Sequence, residues 1–234
     1  MESKVPFRII GDVHGQVTRY ITNRTPYAGA KALTRTYASL IADAEESVQI
    51  GDMGWREDLE YVRNTVDSVR HKVIYGNHDD YDNPLQHSLG DYGVYTPKSV
   101  PLTFFYIRGE HSIDKKYREW YGPKKTWWHQ EELDYQQMNE CLALYEQVKP
   151  DVLITHGCPS LLYNHGILTN AMKLEPSRTA KFLDYVITAH RPKRHYFGHH
   201  HHDWKLELDG TRFECINELC FVDCDKDGNF GEQQ

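Results

Sequence analysis

Cysteine is scarce in this sequence, and it follows no pattern that would support a disulfide framework or a zinc ribbon. The 234 residues include five cysteines, an odd number without any C-x-x-C pair. Small secreted domains and zinc ribbons depend on paired, regularly spaced cysteines. We therefore expect reduced thiols and a cytoplasmic location.

Long hydrophobic runs are lacking as well. A helix that crosses a bilayer needs roughly 18 or more apolar residues in a row, and no stretch of this sequence approaches that length. The opening residues, Met1 to Pro6, contain no apolar signal core. We expect no membrane-spanning segment and no membrane partner.

Basic residues are fewer than acidic residues in this sequence. The sequence has 27 lysines and arginines against 34 aspartates and glutamates, which gives a formal net charge of −7. A broad basic face for sequence-independent nucleic-acid binding is therefore not expected. Local basic patches still leave a nucleic-acid substrate open.

Apolar runs alternate with helical patterns along the chain. We expect residues 1–234 to form one domain, with an irregular insertion or lid at about residues 80–128. Strands are predicted at 5–10, 47–50, 71–75, 151–154, 195–197, 204–208, 213–216 and 221–223, and helices at 16–22, 30–44, 59–69, 131–146 and 177–188. The first three strands read as parallel β-α-β units, the Asp209-Gly210 turn indicates antiparallel pairing, and residues 225–234 are expected to fray.

Five stretches share one design, in which a metal-ligating side chain stands beside glycine after an apolar run. They are Gly11-Asp12-Val13-His14-Gly15, Gly51-Asp52, Gly76-Asn77-His78-Asp79, Thr155-His156-Gly157 and Gly198-His199-His200-His201. Each alone fits an ordinary polar turn or a helix cap. Ligands of α/β proteins usually bind where strands end, so five repeats of the design favour one shared site.

Gathered at one sheet edge, these stretches offer seven oxygen and nitrogen ligands, which is too many for one ion. The seven are Asp12, His14, Asp52, Asn77, His156, His199 and His201. Mixed imidazole and carboxylate ligation suits two transition-metal ions better than Mg²⁺ or Ca²⁺, with Mn²⁺ first and Fe, Zn, Co or Ni as alternatives. Two ions about 3.5 to 4 Å apart hold a bridging hydroxide and clamp an in-line displacement at phosphorus. The sequence therefore predicts hydrolysis of a phosphoester.

The order D-x-H, G-D, G-N-H-[DE], H and G-H-x-H resembles the calcineurin-like metallophosphoesterase family. Asn77 follows Asp52 by 25 residues, a spacing similar to that of the family. The resemblance implies an α/β fold, a four-layer α-β-β-α sandwich of two mixed sheets flanked by helices. It also implies a dinuclear metal-dependent hydrolase that acts on a small phosphoester or a nucleotide.

The same resemblance implies a role for each residue of the motifs. Asp52 would bridge two metals, and His78, which has no metal to bind, would protonate the leaving group or steady the transition state. The first metal would be held by Asp12, His14 and His201, and the second by Asn77, His156 and His199. The G-H-x-H pattern leaves His200 and His202 spare, and a strand-like path is expected to turn residues two apart to the same side.

The chain departs from the protein serine/threonine phosphatases of this superfamily, which continue G-D-x-x-D-R-G and G-N-H-E-x-R. Trp55 replaces the acid that would orient His78, and Tyr81 replaces the second arginine, although Arg56 matches. A dianionic monoester needs more cationic donors than one arginine provides, so we prefer a phosphodiester or nucleotide substrate. Candidate substrate contacts are Arg56, Tyr81, His111 and Arg118, each of which also fits a structural role.

Three other readings stay open. A phosphomonoesterase, acting on proteins or nucleotides, would use the same site. A non-catalytic scaffold would keep the fold without turnover, but degenerate members usually lose a ligand or the catalytic histidine. A metallo-β-lactamase-type hydrolase is suggested by the run from His199 to Asp203, but Trp204 stands where that signature needs its last histidine.

Overall fold

The computed structural model describes residues 4–19, 35–54, 57–121, 127–168 and 175–234. A first sheet of four strands has the order β10-β1-β2-β3. Its members are β1 (Val5–Ile10), β2 (Ala44–Gln49), β3 (His71–Val73) and β10 (Phe221–Cys224). Strands β1, β2 and β3 are parallel, as the apolar runs predicted, and β10 pairs with β1 in the antiparallel sense.

A second sheet has six strands in the order β4-β5-β6-β7-β9-β8. Its members are β4 (Tyr92–Tyr95), β5 (Phe104–Ile107), β6 (Val152–Thr155), β7 (Arg194–Phe197), β8 (Trp204–Leu208) and β9 (Thr211–Cys215). Four central strands are parallel, and the edge strands β4 and β8 run antiparallel to their neighbours. The predicted antiparallel pair around Asp209-Gly210 is confirmed as β8 and β9.

The described part of the chain contains five α-helices. They are α1 (Tyr37–Ala42), α2 (Glu57–Thr65), α3 (Lys115–Tyr121), α4 (Tyr135–Val148) and α5 (Arg178–Ala189), with short 3-10 helices at His129–Glu131 and Ser160–His165. Asp134 caps the start of helix α4, where its carboxylate accepts from the backbone N–H of Gln137. Lys149 caps the end of the same helix in a left-handed conformation and precedes a proline.

Three buried apolar clusters define the layers. The central one joins the facing sides of the two sheets, with residues such as Phe7 and Val48 opposite Phe104 and Ile154. A second cluster lies between the first sheet and helices α1 and α2, and a third lies between the second sheet and helices α4 and α5. The predicted four-layer sandwich of two mixed sheets is thus confirmed. Among the described helices, none is both long and apolar enough to cross a membrane.

Several local expectations differ from the structure. Residues 17–19 form bends where a helix was expected, and residues 20–34 lie outside the described ranges. The expected helix over 30–44 is found only from Tyr37, because Ala44 already pairs within β2. The final residues are not frayed: the backbone N–H groups of Gly231 and Gln234 donate to β10 carbonyls at 2.8 and 2.9 Å.

The region expected to be an insertion or lid contains two strands of the second sheet. Strands β4 and β5 both lie within residues 80–128 and pair with each other, and β5 also pairs with β6. This part of the region belongs to the sheet. The single domain and a lid formed by the rest of the region stay predictions.

Candidate metal centre

The loops that follow five strands of the two sheets meet at one edge of the sandwich. Hydrogen bonds between backbones tie these loops together. The N–H of His14 donates to the carbonyl of Asp52 at 2.8 Å, which links the loops after β1 and β2. The N–H of Gly198 donates to the carbonyl of His156 at 3.0 Å, which links the loops after β6 and β7. The parallel strands therefore deliver their polar residues to a common place, as the sequence predicts.

The first group of converging side chains contains Asp12, His14 and His201. The Asp12 Oδ2 atom lies 2.9 Å from His201 Nε2 and 3.6 Å from His14 Nε2. The two imidazole Nε2 atoms lie only 2.8 Å apart. Two imidazoles and a buried carboxylate that point at one small space form a donor set suited to a divalent cation.

The second group is centred on the side-chain oxygen of Asn77. Its Oδ1 atom lies 3.0 Å from His156 Nε2 and 3.0 Å from His199 Nδ1. The other ring nitrogen of His156, Nδ1, lies 2.9 Å from the carbonyl oxygen of Ile50. A carbonyl can only accept, so Nδ1 carries the proton and the Nε2 lone pair is left for a metal.

Asp52 lies between the two groups. Its Oδ1 atom is 3.5 Å from His156 Nε2, and its Oδ2 atom is 3.9 Å from His14 Nε2. Burial alone would raise the pKa of this carboxylate, but the charges of His156, His78 and His14 outweigh it and lower the pKa. An ionised, buried carboxylate facing both groups fits a ligand shared by two cations.

The pKa of Asp12 behaves in the same way. Burial would raise it, whereas hydrogen bonds from His14 and His201 bring it well below its ordinary value. Asp12 and Asp52 are both buried within one cluster, which also includes His156. Two buried anions need positive charge beside them, so the donor set of this chain fits a pair of divalent ions.

His78 lies beside the shared carboxylate. Its backbone N–H donates to Asp52 Oδ1 at 2.9 Å, and its half-buried ring has a centroid 6.2 Å from that of His14. Burial lowers the pKa of the ring, and the charge of Arg118 acts in the same direction while Asp52 opposes it. The ring thus lies at the edge of the group of candidate ligands.

The four-histidine run takes a different path from the strand that was expected. His199 and His201 have φ values of 64° and 52°, so the backbone is left-handed at both residues and no strand forms. Both nevertheless face the centre. The ring of His200 turns away, with Nε2 3.1 Å from Cys158 Sγ and its plane nearly perpendicular to the ring of Phe197.

The sequence alone predicted no role for Asp79, which connects two loops of the site. Its buried carboxylate accepts from the backbone N–H groups of Asp52, Met53 and Gly76 at 2.8, 2.9 and 2.7 Å. Burial and the charge of Asp52 raise the pKa of Asp79 to about 7 against the effect of these donors. Its position next to His78 in the motif was the signal that could have found it.

The four candidate substrate contacts have different surroundings. Arg56 lies outside the described residues. The hydroxyl of Tyr81 donates to the carbonyl of Gly76 at 2.8 Å, which gives Tyr81 a partner within the protein. His111 Nδ1 lies 3.3 Å from a carboxylate oxygen of Glu131, and the pKa of His111 is raised to about 10. Arg118 pairs with Asp114 at 2.7 Å, and its positive charge contributes to lowering the pKa of His78.

Comparison with known proteins gives a family match over most of the chain. The model of the calcineurin-like phosphoesterase family, Metallophos, matches residues 5–203. No curated protein sequence matches.

Solved structures with a similar fold include phosphopantetheinyl hydrolase from Mycobacterium tuberculosis, which is 14% identical, with 93% of this chain and 90% of that chain covered at a TM-score of 0.45. A protein of Thermus thermophilus is 12% identical, and the match covers 81% of this chain and 86% of that chain at a TM-score of 0.45. The 5'-nucleotidase from Candida albicans is 9% identical, and the match covers 97% of this chain and 49% of that chain at a TM-score of 0.48. The chain spans about half the length of that enzyme and 53% of a Staphylococcus aureus chain. At identities this low, the likeness concerns the fold alone.

Proposed function

Because the chain belongs to the calcineurin-like phosphoesterase family, as the match over residues 5–203 shows, we propose that it hydrolyses a phosphodiester or a nucleotide at a dinuclear metal centre. The single observation that carries the proposal is the position of Asp52. Its two carboxylate oxygens face two separate groups of ligand atoms, at 3.5 Å from His156 and 3.9 Å from His14.

In this proposal Asp52 would be a ligand of both ions. Asp12, His14 and His201 would hold one ion, and Asn77, His156 and His199 would hold the other. When bound, the pair of ions supplies Lewis acidity to the phosphate and lowers the pKa of a water molecule. Mn²⁺ is our first choice, with Fe, Zn, Co and Ni as alternatives, because the ligands mix imidazole and carboxylate groups.

His78 acts on the leaving group. Its ring lies at the edge of the centre, where it can donate a proton or a hydrogen bond to the departing oxygen. An approaching phosphate is anionic and therefore favours the protonated ring, against the burial that lowers its pKa in the free protein. Asp52 holds the backbone of His78 by accepting its N–H at 2.9 Å, which fixes the ring relative to the metal ligands.

The residues of helix α3 favour a diester or nucleotide over a simple monoester. The charge of Arg118 acts on His78, and Arg118 also pairs with Asp114 at 2.7 Å. Helix α3 also carries Tyr117 and Trp120, which are 61% and 82% exposed. An arginine whose charge is already shared with a carboxylate suits a monoanionic diester, and exposed aromatic rings suit a nucleobase or an aromatic leaving group.

We further propose that substrate enters past α3 and that the protein works in the cytoplasm. The cysteines support that location, since all five are within the described residues and none forms a disulfide. A phosphomonoesterase on the same site and a non-catalytic scaffold with this fold are the alternatives.

The proposal is tested by supplying Mn²⁺ to metal-stripped protein and measuring hydrolysis of bis(p-nitrophenyl) phosphate beside p-nitrophenyl phosphate. We expect hydrolysis that a chelator abolishes and that favours the diester. Preference for the monoester would replace the diesterase by the phosphomonoesterase. Bound metal without hydrolysis of either compound would favour the scaffold.

A further inference from the structure

A chain of three buried hydrogen-bonding groups begins at Asn77, on the side away from His156 and His199. The Nδ2 atom of Asn77 on this side also lies 3.1 Å from His78 Nε2. Asn77 Nδ2 donates to the hydroxyl oxygen of Ser112 at 3.0 Å. That hydroxyl donates in turn to Glu131 Oε2 at 2.6 Å. The three residues are 1%, 1% and 2% exposed, so water cannot easily replace any of these bonds.

The direction of this chain is fixed by Glu131. An ionised carboxylate can only accept, so the single hydroxyl proton of Ser112 must point to Glu131. The oxygen of Ser112 can then only accept from Asn77, which must turn its NH₂ group toward Ser112. The amide oxygen is thereby turned the opposite way, to its place 3.0 Å from both His156 Nε2 and His199 Nδ1.

This fixed direction matters because an asparagine amide has two ends of nearly the same shape. Only the oxygen end can bind a metal, and the NH₂ end would present hydrogens to it. If Ser112 could donate to Asn77, both orientations of the amide would be acceptable. The carboxylate of Glu131 leaves only one orientation of the Asn77 amide, although it acts on Asn77 through two successive hydrogen bonds.

Glu131 is itself held firmly. It ends the 3-10 helix His129–Glu131, and its carbonyl accepts from the N–H of Glu110 at 3.1 Å. The nearby His111 Nδ1 lies 3.3 Å from its other carboxylate oxygen, which places a positive charge beside the buried anion. The acceptor for Ser112 is therefore fixed in position, with a positive charge beside it.

We propose that Ser112 and Glu131 are positioning residues, which orient the Asn77 amide with its oxygen toward His156 and His199 and so set the affinity of the second metal position. This inference rests on the proposed metal centre, but it concerns residues of the chain that the family motifs do not include. Partners behind metal ligands typically change metal affinity by about 10- to 100-fold when they are removed.

The test is calorimetric titration of metal-stripped protein with Mn²⁺. Wild type should bind two ions. Ser112→Ala should bind one ion as wild type does and the other about 10- to 100-fold more weakly, and Ser112→Thr, which keeps the hydroxyl, should restore binding. Glu131→Gln should weaken the same step, because its NH₂ group can donate to Ser112 and release the amide of Asn77 to turn.

Two matched controls separate positioning from general damage. Ser47→Ala also removes a buried hydroxyl, one that lies 3.0 Å from His71 Nδ1, and should leave both steps unchanged. Glu132→Gln neutralises the neighbouring carboxylate, which is 3.7 Å from His111 and accepts from the N–H of Thr179, and should also bind as wild type. Urea unfolding of each variant shows whether its fold is kept.

The near-isosteric Glu131→Gln keeps the test valid if Ser112→Ala fails to fold. Unchanged two-step binding in a folded Ser112→Ala or Glu131→Gln variant would overturn the inference while leaving the proposed function in place. A wild-type protein that binds no Mn²⁺ would overturn the proposed function and, with it, this inference.

Discussion

Asp52 combines three contacts in one side chain. One oxygen accepts from the N–H of His78 at 2.9 Å and lies 3.5 Å from His156, and the other faces His14. Replacing a single carboxylate oxygen by NH₂ would keep the shape and remove the negative charge. It would also present hydrogens to one of the two metal positions.

We expect Asp52→Asn to weaken binding of both Mn²⁺ ions and to abolish hydrolysis of the diester. Metal content after dialysis and the rate with Mn²⁺ are the measurements. The exposed Asp67→Asn variant removes the same charge on the surface and should change neither. An Asp52→Asn protein with full metal content and full activity would show that this residue does not bridge two ions.

A substitution at His78 should affect the rate without affecting the metals. The ring lies beside the ligands, with Nε2 3.1 Å from the Nδ2 atom of Asn77, which is the end of that amide that cannot bind a metal. We expect His78→Ala to keep its metal content and to lose about 10²- to 10⁴-fold in the rate of hydrolysis, as is typical when a general acid is removed. The loss should shrink for a substrate whose leaving group needs no proton. Loss of metal in this variant would instead make His78 a ligand or a structural support.

At the scale of the loops, four candidate ligands adopt a conformation that is unusual for residues with a side chain. The backbones of His14, Asp52, His199 and His201 all have φ between 49° and 64°. Such conformations persist when the surrounding structure over-determines them, and they concentrate at functional sites. Hydrogen bonds join these loops to each other and to Asp79, and they stabilise the unfavourable backbone conformation of the four residues.

The glycines of the motifs serve a steric purpose. A Cβ atom on Gly76 would lie 2.3 Å from Asp52 Oδ1 and 2.6 Å from the ring of His156. A Cβ atom on Gly198 would lie 2.3 Å from Asp12 Oδ1. These residues are glycine because the ligands pass directly over their backbone. The recurring pattern of glycine beside a ligand therefore follows from close approach.

We expect Gly76→Ala to displace Asp52 and His156 and so to lower Mn²⁺ affinity and activity together. Its backbone is not left-handed, so the effect should be steric alone. Gly231→Ala is the matched control, because the nearest atom to its Cβ would be 3.7 Å away, an ordinary contact. Wild-type metal binding in Gly76→Ala would mean that the loops can move apart without cost.

The elements that the sequence predicted well are those with strong local patterns. Strand β1 is a mostly apolar run that leads into Gly11. Strand β2 is more polar, and only its last residues and Ile50, which lead into Gly51, carried the signal. The carboxyl ends of parallel strands lie at the same edge of a sheet. Strand β4 (Tyr92–Tyr95) is short and contains a glycine, so only its pairing with β5 defines it. The same holds for the last residues, whose order comes from pairing with β10. Such long-range pairing leaves no periodic signal.

In the site, too, local patterns predicted some residues and missed those that act through long-range contacts. Its ligands stand beside glycines in the sequence, whereas the groups that orient them are distant. Ser112 is 35 residues from Asn77, and Glu131 is 19 residues further from Ser112. No local pattern marks a serine or a glutamate that acts through such a contact. The loop conformation at His199 and His201 was missed for a related reason, because the hydrogen bonds that fix it come from other loops.

At the scale of the whole molecule, the centre needs both sheets. Asp12, Asp52 and Asn77 follow strands of the first sheet, while His156 and His199 follow strands of the second. The apolar cluster between the sheets therefore sets the distance between the two sets of ligands. Anything that loosens the sandwich should also weaken the site, and acid is one such condition.

His195, in β7, shows how acid acts on the sandwich. Its ring is fully buried between Phe197 and Phe213, with Nε2 2.8 Å from the hydroxyl of Thr155. Burial lowers the pKa of His195 to about 3, whereas the unfolded chain has an ordinary value near 6.5. Between these two pKa values, the unfolded state binds a proton at His195 and the folded state does not. The contribution of neutral His195 to the free energy of unfolding is therefore fully present above pH 6.5 and is lost as the pH falls toward 3.

For metal-stripped wild type, we expect the free energy of unfolding to fall between pH 8 and pH 5, with about 2 kcal/mol of the loss due to His195. His195→Gln cannot titrate and should lose correspondingly less over this interval, even if it is less stable at pH 8. The remaining loss comes from other buried histidines such as His71, whose pKa burial lowers to about 4. Urea unfolding at both pH values measures the difference. An equal loss in the two proteins would mean that the folded state accepts a proton at His195, and the core of the second sheet would then have to admit water or open at pH 5.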